Sequence, residues 1–228
     1  MALSNDVFEN GKPIAGQYTG LDFYLYTNNI NQITDVLDFD MHIDEMSTIK
    51  AYLSDSAHTI NLQAYIPHLR YGNNLITDIS FNADNRYDQL TAKLYAYKHE
   101  GKSHASQALG NLHLNLNTFA KNDSLWLDFL WANTDNGRNK GKLSTASTIT
   151  TENGDVVYNL DFLPANILLN DSLWTMKSSH ISFNPKKKNL DIRHFNLGTD
   201  FQGIAADGKA SELNSDSLYV ALSNLNLD

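Results

Sequence analysis

The sequence contains no cysteine, and its basic residues are outnumbered by its acidic ones. The absence of cysteine excludes disulfides, iron–sulfur clusters and thiolate zinc sites, but it does not locate the protein, because many periplasmic and cytosolic proteins lack cysteine. The 17 Lys and Arg residues against 26 Asp and Glu residues give a formal net charge of −9. Such a chain has no basic surface for phosphate backbones, so we expect no nucleic-acid binding.

Long hydrophobic runs are also missing from the chain. No window approaches about 18 consecutive apolar residues, and residues 1–13 contain neither the basic nor the apolar region of a leader peptide. Residues 218–228 stop within strand-like alternation and have no closing turn. We therefore expect a soluble segment cut from a longer protein.

Signatures of catalysis are absent as well. The sequence has no glycine-rich phosphate loop and no G-x-S-x-G elbow, and its eight histidines fall in no H-x-x-x-H or H-E-x-x-H arrangement. Asp38, Asp40 and Asp44 stand at even spacing, which could place three carboxylates together for calcium or glycosidase chemistry, but the solvent face of an amphipathic strand is the favoured interpretation. We predict a protein that is not an enzyme and that holds no metal and no cofactor.

Alternating apolar residues fill most of the chain, and this period of two predicts β-strands. Between the runs stand Asn, Asp, Gly and Ser clusters that are typical of turns, so neighbouring strands are expected to be antiparallel. One helix is predicted at residues 29–38, behind an Asn that can cap it. The runs include Ile49/Ala51/Leu53, Ile60/Leu62/Ala64/Ile66, Leu90/Ala92/Leu94/Ala96, Leu112/Leu114/Leu116, Leu125/Leu127/Phe129/Trp131 and Val156/Tyr158/Leu160/Phe162.

Two details of the second half refine this pattern. Leu190 and Ile192 share one parity while Phe195 and Leu197 share the other, so a β-bulge near Arg193-His194 is predicted to restore one apolar face. A D-S-L tripeptide recurs at residues 123, 171 and 216, each time before an aromatic residue. Turn preference explains most of this repetition, because Asn, Asp and Ser close hairpins well, and repeat ancestry is the alternative.

The predicted fold is all-β: a curved, mostly antiparallel sheet with an apolar concave face, in the form of an open half-barrel groove. Residues 1–228 are read as a single β-rich segment, and a division into 1–118 and 119–228 is also compatible with the patterns. A closed β-sandwich that serves as a binding module, for instance for a glycan, is the alternative. The residues predicted to line the groove are Leu125, Leu127, Phe129, Leu173, Ile181, Phe183, Leu190, Ile192, Leu218, Val220 and Leu222.

Residues 163–228 resemble the repeated strand pattern of the TamB/AsmA-like family. In that family an N-D-S-x-W segment opens a strand, an I-x-I…F-x-L segment follows, and a G-x-A strand precedes a closing D-S-L-x-V-x-L strand. The matching residues here are Asn170-Asp171-Ser172 with Trp174, Leu190/Ile192 with Phe195/Leu197, Gly208-Lys209-Ala210, and Asp216 through Leu227. The resemblance covers the last third of the chain well and the middle loosely.

The resemblance implies a long periplasmic protein that is anchored in the inner membrane of Gram-negative bacteria. It implies a curved sheet, often called a β-taco, whose apolar groove transports phospholipid or another acyl-chain lipid between membranes. It also implies a role in outer-membrane protein assembly, with an outer-membrane β-barrel assembly protein as a partner. The family has no catalytic residues that could be carried over to this chain.

Overall fold

The computed structural model describes residues 8–9, 12–13, 20–29, 31, 34, 40–43, 45–54, 58–85, 88–101, 107, 109–135, 137–212 and 216–224. Of these residues, 73% lie in strands, which confirms the prediction of an all-β chain. Sixteen strands form one large, curved, antiparallel sheet that is not closed into a barrel, and a separate hairpin forms a two-stranded sheet.

The strands follow the predicted alternating runs closely. The small sheet contains β1 (Phe8–Glu9) and β2 (Lys12–Pro13). The large sheet contains β3 (Gly20–Thr27), β4 (Met41–His42), β5 (Ser47–Ser54), β6 (Thr59–Tyr71), β7 (Asn74–Asp84), β8 (Leu90–Lys98), β9 (Leu112–Lys121), β10 (Ser124–Asn133), β11 (Lys140–Glu152), β12 (Asp155–Phe162), β13 (Ala165–Leu169), β14 (Ser172–Met176), β15 (Ser179–Asn184), β16 (Asn189–Gly198), β17 (Gly203–Ala210) and β18 (Leu218–Ser223).

The sixteen strands of the large sheet occupy thirteen side-by-side positions, because three positions hold two strands end to end. β4 and β5 both pair with β6, β12 and β13 both pair with β11, and β14 and β15 both pair with β16. The order across the sheet otherwise follows the chain, as expected for short antiparallel connections. With a strand spacing of about 4.8 Å, thirteen positions give a sheet about 58 Å wide.

The β-bulge predicted near Arg193-His194 is present. The register between β16 and β17 shifts between Ile192 and Phe195, and His194 has a φ of 58°. On β17, Gly208 lies opposite Ile192, and Ala206 lies opposite Phe195. Because Ala206 and Gly208 are two residues apart, the bulge brings the apolar residues before and after it to the same face of the sheet.

A second irregularity, at Leu163-Pro164, was not predicted. β12 pairs Phe162 with Thr145 of β11, whereas β13 pairs Leu168 with Lys140, so the β12–β13 segment contains one more residue than β11 between these two pairs. The Leu163 N–H still donates to the Ser144 carbonyl, at 3.0 Å. Pro164 has no N–H to contribute to the ladder, which suits it to such a bulge. The extra residue reverses the parity of β13 and of the β13–β14 hairpin.

The first two D-S-L tripeptides follow tight hairpin turns, as the turn interpretation predicted. Asn122-Asp123 joins β9 to β10, and Asn170-Asp171 joins β13 to β14. Asn122, Asn170 and Asp171 have positive φ values of 51°, 48° and 65°. Asn and Asp tolerate this left-handed region better than other residues with side chains, which explains their recurrence at these turns.

The predicted helix at 29–38 falls mostly outside the described residues. Its described members Asn31 and Thr34 have helical backbone conformation, and the Asn29 side-chain oxygen accepts the Asn31 N–H at 2.7 Å, as a capping residue does. The other proposed boundary, between residues 118 and 119, lies inside β9 and therefore within the continuous sheet.

Candidate functional site: an uncovered apolar sheet face

Direct cross-strand partners lie on the same face of a sheet, so the registers assign each side chain to one of two faces. The face that carries Leu127 is here called the apolar face, and the other is called the polar face. One continuous row on the apolar face contains eight apolar side chains, one from each of eight neighbouring positions: Leu25, Ile49, Ala64, Phe81, Leu94, Leu116, Phe129 and Leu143.

No second layer packs on the apolar face among the residues that the structure describes. Within those residues the buried apolar side chains are only Ile43, Ala96, Leu112, Val157, Ile167 and Met176, and no large side chain is less than 2% exposed. A sheet with one dry face is normally covered by another sheet or by a helix. No described residue covers the apolar face, and uncovered apolar surfaces on soluble proteins mark binding sites.

Ten of the eleven residues predicted to line a groove do lie on the apolar face. Leu125, Leu127 and Phe129 are on β10, and the pairings of β12, β15, β16, β17 and β18 place the others on the same side. These others are Ile181, Phe183, Leu190, Ile192, Leu218, Val220 and Leu222.

Leu173 is the exception, and its predicted place on the apolar face is wrong. It pairs with Leu168, which pairs with Lys140 on the polar face, and its side chain is exposed there. The cause is the extra residue at Leu163-Pro164, which reverses the parity of β13 and of the hairpin that follows it. In β14, Trp174 therefore occupies the apolar face instead.

A concavity of about 580 Å³ lies in the apolar face where five neighbouring positions meet, from β9 to β15. Leu125, Ile181 and Phe183 from the predicted set line it, and Ile149 is 48% exposed within it. Sequence reasoning omitted Ile149 because the surrounding run, Ser144 to Thr151, is almost entirely Ser and Thr and gives little apolar signal. The other apolar walls are Ala120, Tyr158 and Leu160.

The polar face around β12, β15 and β16 carries a set of ion pairs. The carboxylate of Asp155 is buried and accepts from Lys186 at 2.5 Å and lies 3.3 Å from Lys187. The hydrogen bond from Lys186 is the largest influence that lowers the pKa of Asp155. Asp191, also buried, accepts from Arg193 at 2.8 Å, and this contact lowers the pKa of Asp191 in the same way.

The three lysines at 186–188 are therefore engaged within the protein. Lys188 contacts Glu212 at 2.6 Å, while the other two hold Asp155. The sequence favoured a solvated turn over a site for anionic headgroups, and these contacts give the turn a structural role. All three side chains remain more than half exposed, so the turn is also solvated.

Metal-binding chemistry has little support within the described part of the chain. No cluster of three or more His, Asp or Glu side chains with metal-binding geometry occurs there. Asp38 and Asp44, two members of the carboxylate set for which a solvent-facing strand was the favoured interpretation, lie outside the described residues, and Asp40 lies 3.7 Å from His42.

No helix within the described residues has the length and apolarity needed to cross a membrane. Comparison with protein-family models, with curated proteins and with solved structures finds no match to this chain.

Proposed function

We propose that the chain is a non-enzymatic segment of an envelope protein whose apolar face binds the acyl chains of phospholipids. The observation that carries the proposal is the continuous apolar row across the sheet, which no described element covers. Each buried CH₂ contributes about 0.8 kcal/mol, so an acyl chain gains affinity from this surface without any specific polar contact. A closed sandwich is a weaker candidate, because it needs two facing sheets and the large sheet is single.

The strand-and-turn resemblance to the TamB/AsmA-like family supports the same function. On that basis we place the chain in the periplasm, as part of a parent anchored in the inner membrane, with a path for lipid between the two membranes. An outer-membrane β-barrel assembly protein is the proposed partner at the far membrane. The acidic net charge of −9 suits a surface that holds lipid tails rather than one that adsorbs to anionic headgroups.

The test is the lipid content of the purified protein, measured by mass spectrometry of organic extracts, for the wild type and for Ile149→Asp. Ile149 is exposed in the apolar concavity, so a carboxylate there can stay hydrated and should disturb folding little. An acyl chain that lies over Ile149 would have to desolvate that charge. We expect the wild type to retain phospholipid and Ile149→Asp to lose most of it at an unchanged melting temperature.

Thr150→Asp is the matched control, since Thr150 is the next residue of β11, is exposed, and lies on the polar face. This variant carries the same added charge and should keep its lipid. A wild type that contains no lipid and takes up none from phosphatidylethanolamine vesicles would refute the proposal. Equal loss in both variants would also refute it, because the apolar face would then have no special part in binding.

A further inference from the structure

The polar face carries a regularly spaced row of tyrosines on its N-terminal half. Tyr26 of β3 pairs with Thr48 of β5, which pairs with Tyr65 of β6. Tyr65 pairs with Ser80 of β7, which pairs with Tyr95 of β8. Every second position thus presents a tyrosine, and the positions between them present only a small hydroxyl side chain.

The three tyrosines are accessible to a ligand. Their exposures are 58% for Tyr26, 44% for Tyr65 and 40% for Tyr95. The Tyr95 hydroxyl is hydrogen-bonded to His113 Nδ1 at 2.6 Å, which fixes the direction of the ring before any ligand arrives. A ring that is already oriented loses less conformational entropy on binding.

The spacing of the row has a chemical meaning. Alternate positions lie about 9.6 Å apart, which is twice the strand spacing. This distance is close to the length of one disaccharide unit in an extended β-1,4-linked glycan. A pyranose ring presents a face of C–H groups that packs on an aromatic ring, so one such chain can stack a sugar on each tyrosine while the intervening sugars pass over Thr48 and Ser80.

The neighbouring row on the same face adds hydrogen-bonding groups and positive charge. It contains Lys50 on β5, Gln63 on β6, Asn82 on β7 and Lys93 on β8. Amide side chains pair well with sugar hydroxyls. Within the described residues, neither lysine has an acidic partner within salt-bridge distance, unlike the lysines at 186–188. In a chain of net charge −9, two such cations beside the tyrosines complement carboxylates on a ligand.

We propose that this tyrosine row binds a linear β-1,4-linked polysaccharide that carries carboxylate groups. The site lies on the opposite face from the proposed lipid surface and does not depend on lipid binding. Its components are three stacking rings, two cations and the amides between them, and it is built from β3, β5, β6, β7 and β8. No covalent step is involved.

The experiment is a titration of the whole chain with carboxymethyl-cellulose and with neutral chitohexaose, followed by isothermal calorimetry and intrinsic fluorescence. The wild type should bind both, with the acidic polymer bound more tightly at low salt and approaching the neutral one as salt rises. Tyr65→Ala combined with Tyr95→Ala should weaken binding of either ligand at least tenfold, or about 1.4 kcal/mol. Lys50→Gln combined with Lys93→Gln should weaken binding of the acidic polymer only.

Tyr158→Ala is the matched control. Tyr158 is 48% exposed and lies on the apolar face, because it pairs with Ile149 of β11. Its loss should leave glycan affinity unchanged, and all variants should keep the wild-type circular dichroism. Failure of the wild type to bind either glycan would overturn the proposal. An equal loss in Tyr158→Ala, or equal binding of the α-linked polymer dextran, would overturn it as well.

Discussion

The buried carboxylates described on the polar face each pair with basic side chains, and Asp155 is the clearest case. Its carboxylate is almost fully buried, and both oxygens face lysines of the β15–β16 turn. A buried carboxylate without such partners would take up a proton instead. These contacts therefore tie the β11–β12 hairpin end to the β15–β16 turn, which are 31 residues apart in the sequence.

The Asp155 contacts predict a pH dependence of stability. The folded-state pKa lies below the ordinary value of 3.8, chiefly because of the hydrogen bond from Lys186. The carboxylate therefore stabilises the fold fully at neutral pH, and this contribution falls from about pH 5 downward as the group becomes protonated. Asp155→Asn should lower the melting temperature at pH 7, and the difference from wild type should shrink at pH 3.

Glu152→Gln supplies the control for that measurement. Glu152 ends β11 directly opposite Asp155 in the hairpin register but is exposed to solvent. Its neutralisation should change the melting temperature little at either pH. A constant deficit of Asp155→Asn from pH 7 to pH 3 would contradict the electrostatic explanation and point to packing.

β-Bulges decide on which face of the sheet each side chain of a strand lies. The sequence revealed only one of the two bulges in the second half of the chain. The bulge at His194 was predictable because apolar residues stand on both sides of it and their parity visibly changes. The bulge at Leu163-Pro164 has no such signal, since the hairpin beyond it is apolar at both parities, with Leu173 and Trp174 adjacent. Leu173 was therefore assigned to the wrong face, while the predicted groove residues before residue 163 and after residue 178 were assigned to the correct face.

Gly208 of β17 allows the edge strand β18 to pair closely with β17, and a substitution can test this role. Its φ of +115° belongs to a region that residues with side chains rarely adopt, and an added methyl group would overlap the Ser217 carbonyl oxygen. Gly208→Ala should destabilise the β17–β18 pairing by roughly 1–3 kcal/mol. Amide hydrogen exchange should show faster exchange in β18 than in the wild type, with the strands of the N-terminal half unchanged.

Gly203→Ala in the same strand is the comparison. A methyl group there meets the Leu197 carbonyl oxygen at 3.4 Å, which is ordinary contact, and the backbone φ is not positive. This variant should leave protection of β18 near the wild-type level. If amide exchange in β18 is accelerated equally in both variants, then replacing either glycine of β17 weakens the β17–β18 pairing, and the positive φ of Gly208 is not the cause.

At the scale of the whole molecule, the sheet has a broad surface and little core. Because few apolar side chains are buried in the described part of the chain, much of the hydrophobic free energy that usually stabilises a fold would be realised only when a ligand covers the apolar face, as proposed above. Ligand binding should then raise stability by mass action. The all-β class and the antiparallel order were predictable from alternation and turn residues. The predicted single curved sheet, preferred over a sandwich, is confirmed, although one-sided alternation alone is compatible with both.

This exposure predicts a large thermal shift with an acyl ligand. The delipidated protein should bind the dye ANS in its native state, and dodecylphosphocholine below its critical micelle concentration should displace the dye. At a ligand concentration of about 100 Kd the gain is about 2.7 kcal/mol, which raises the melting temperature by roughly 5–10 °C for a chain of this size. Ile149→Asp should show a smaller shift. Absence of any shift in the wild type would contradict an acyl-binding face.

The apolar face reaches both outer strands, with Leu21, Phe23 and Leu25 on β3 and Leu218, Val220 and Leu222 on β18. Within the described residues this face has no end walls, so under the proposed function it would be a conduit rather than a container, with bound chains arranged in single file along it. The positions along such a conduit would act in series, so one blocked position would stop the passage of lipid however well the other positions bind it. Variants that insert a charge at β5, β10 or β17 would then cause the same loss of transport, although each would remove only a fraction of the bound lipid.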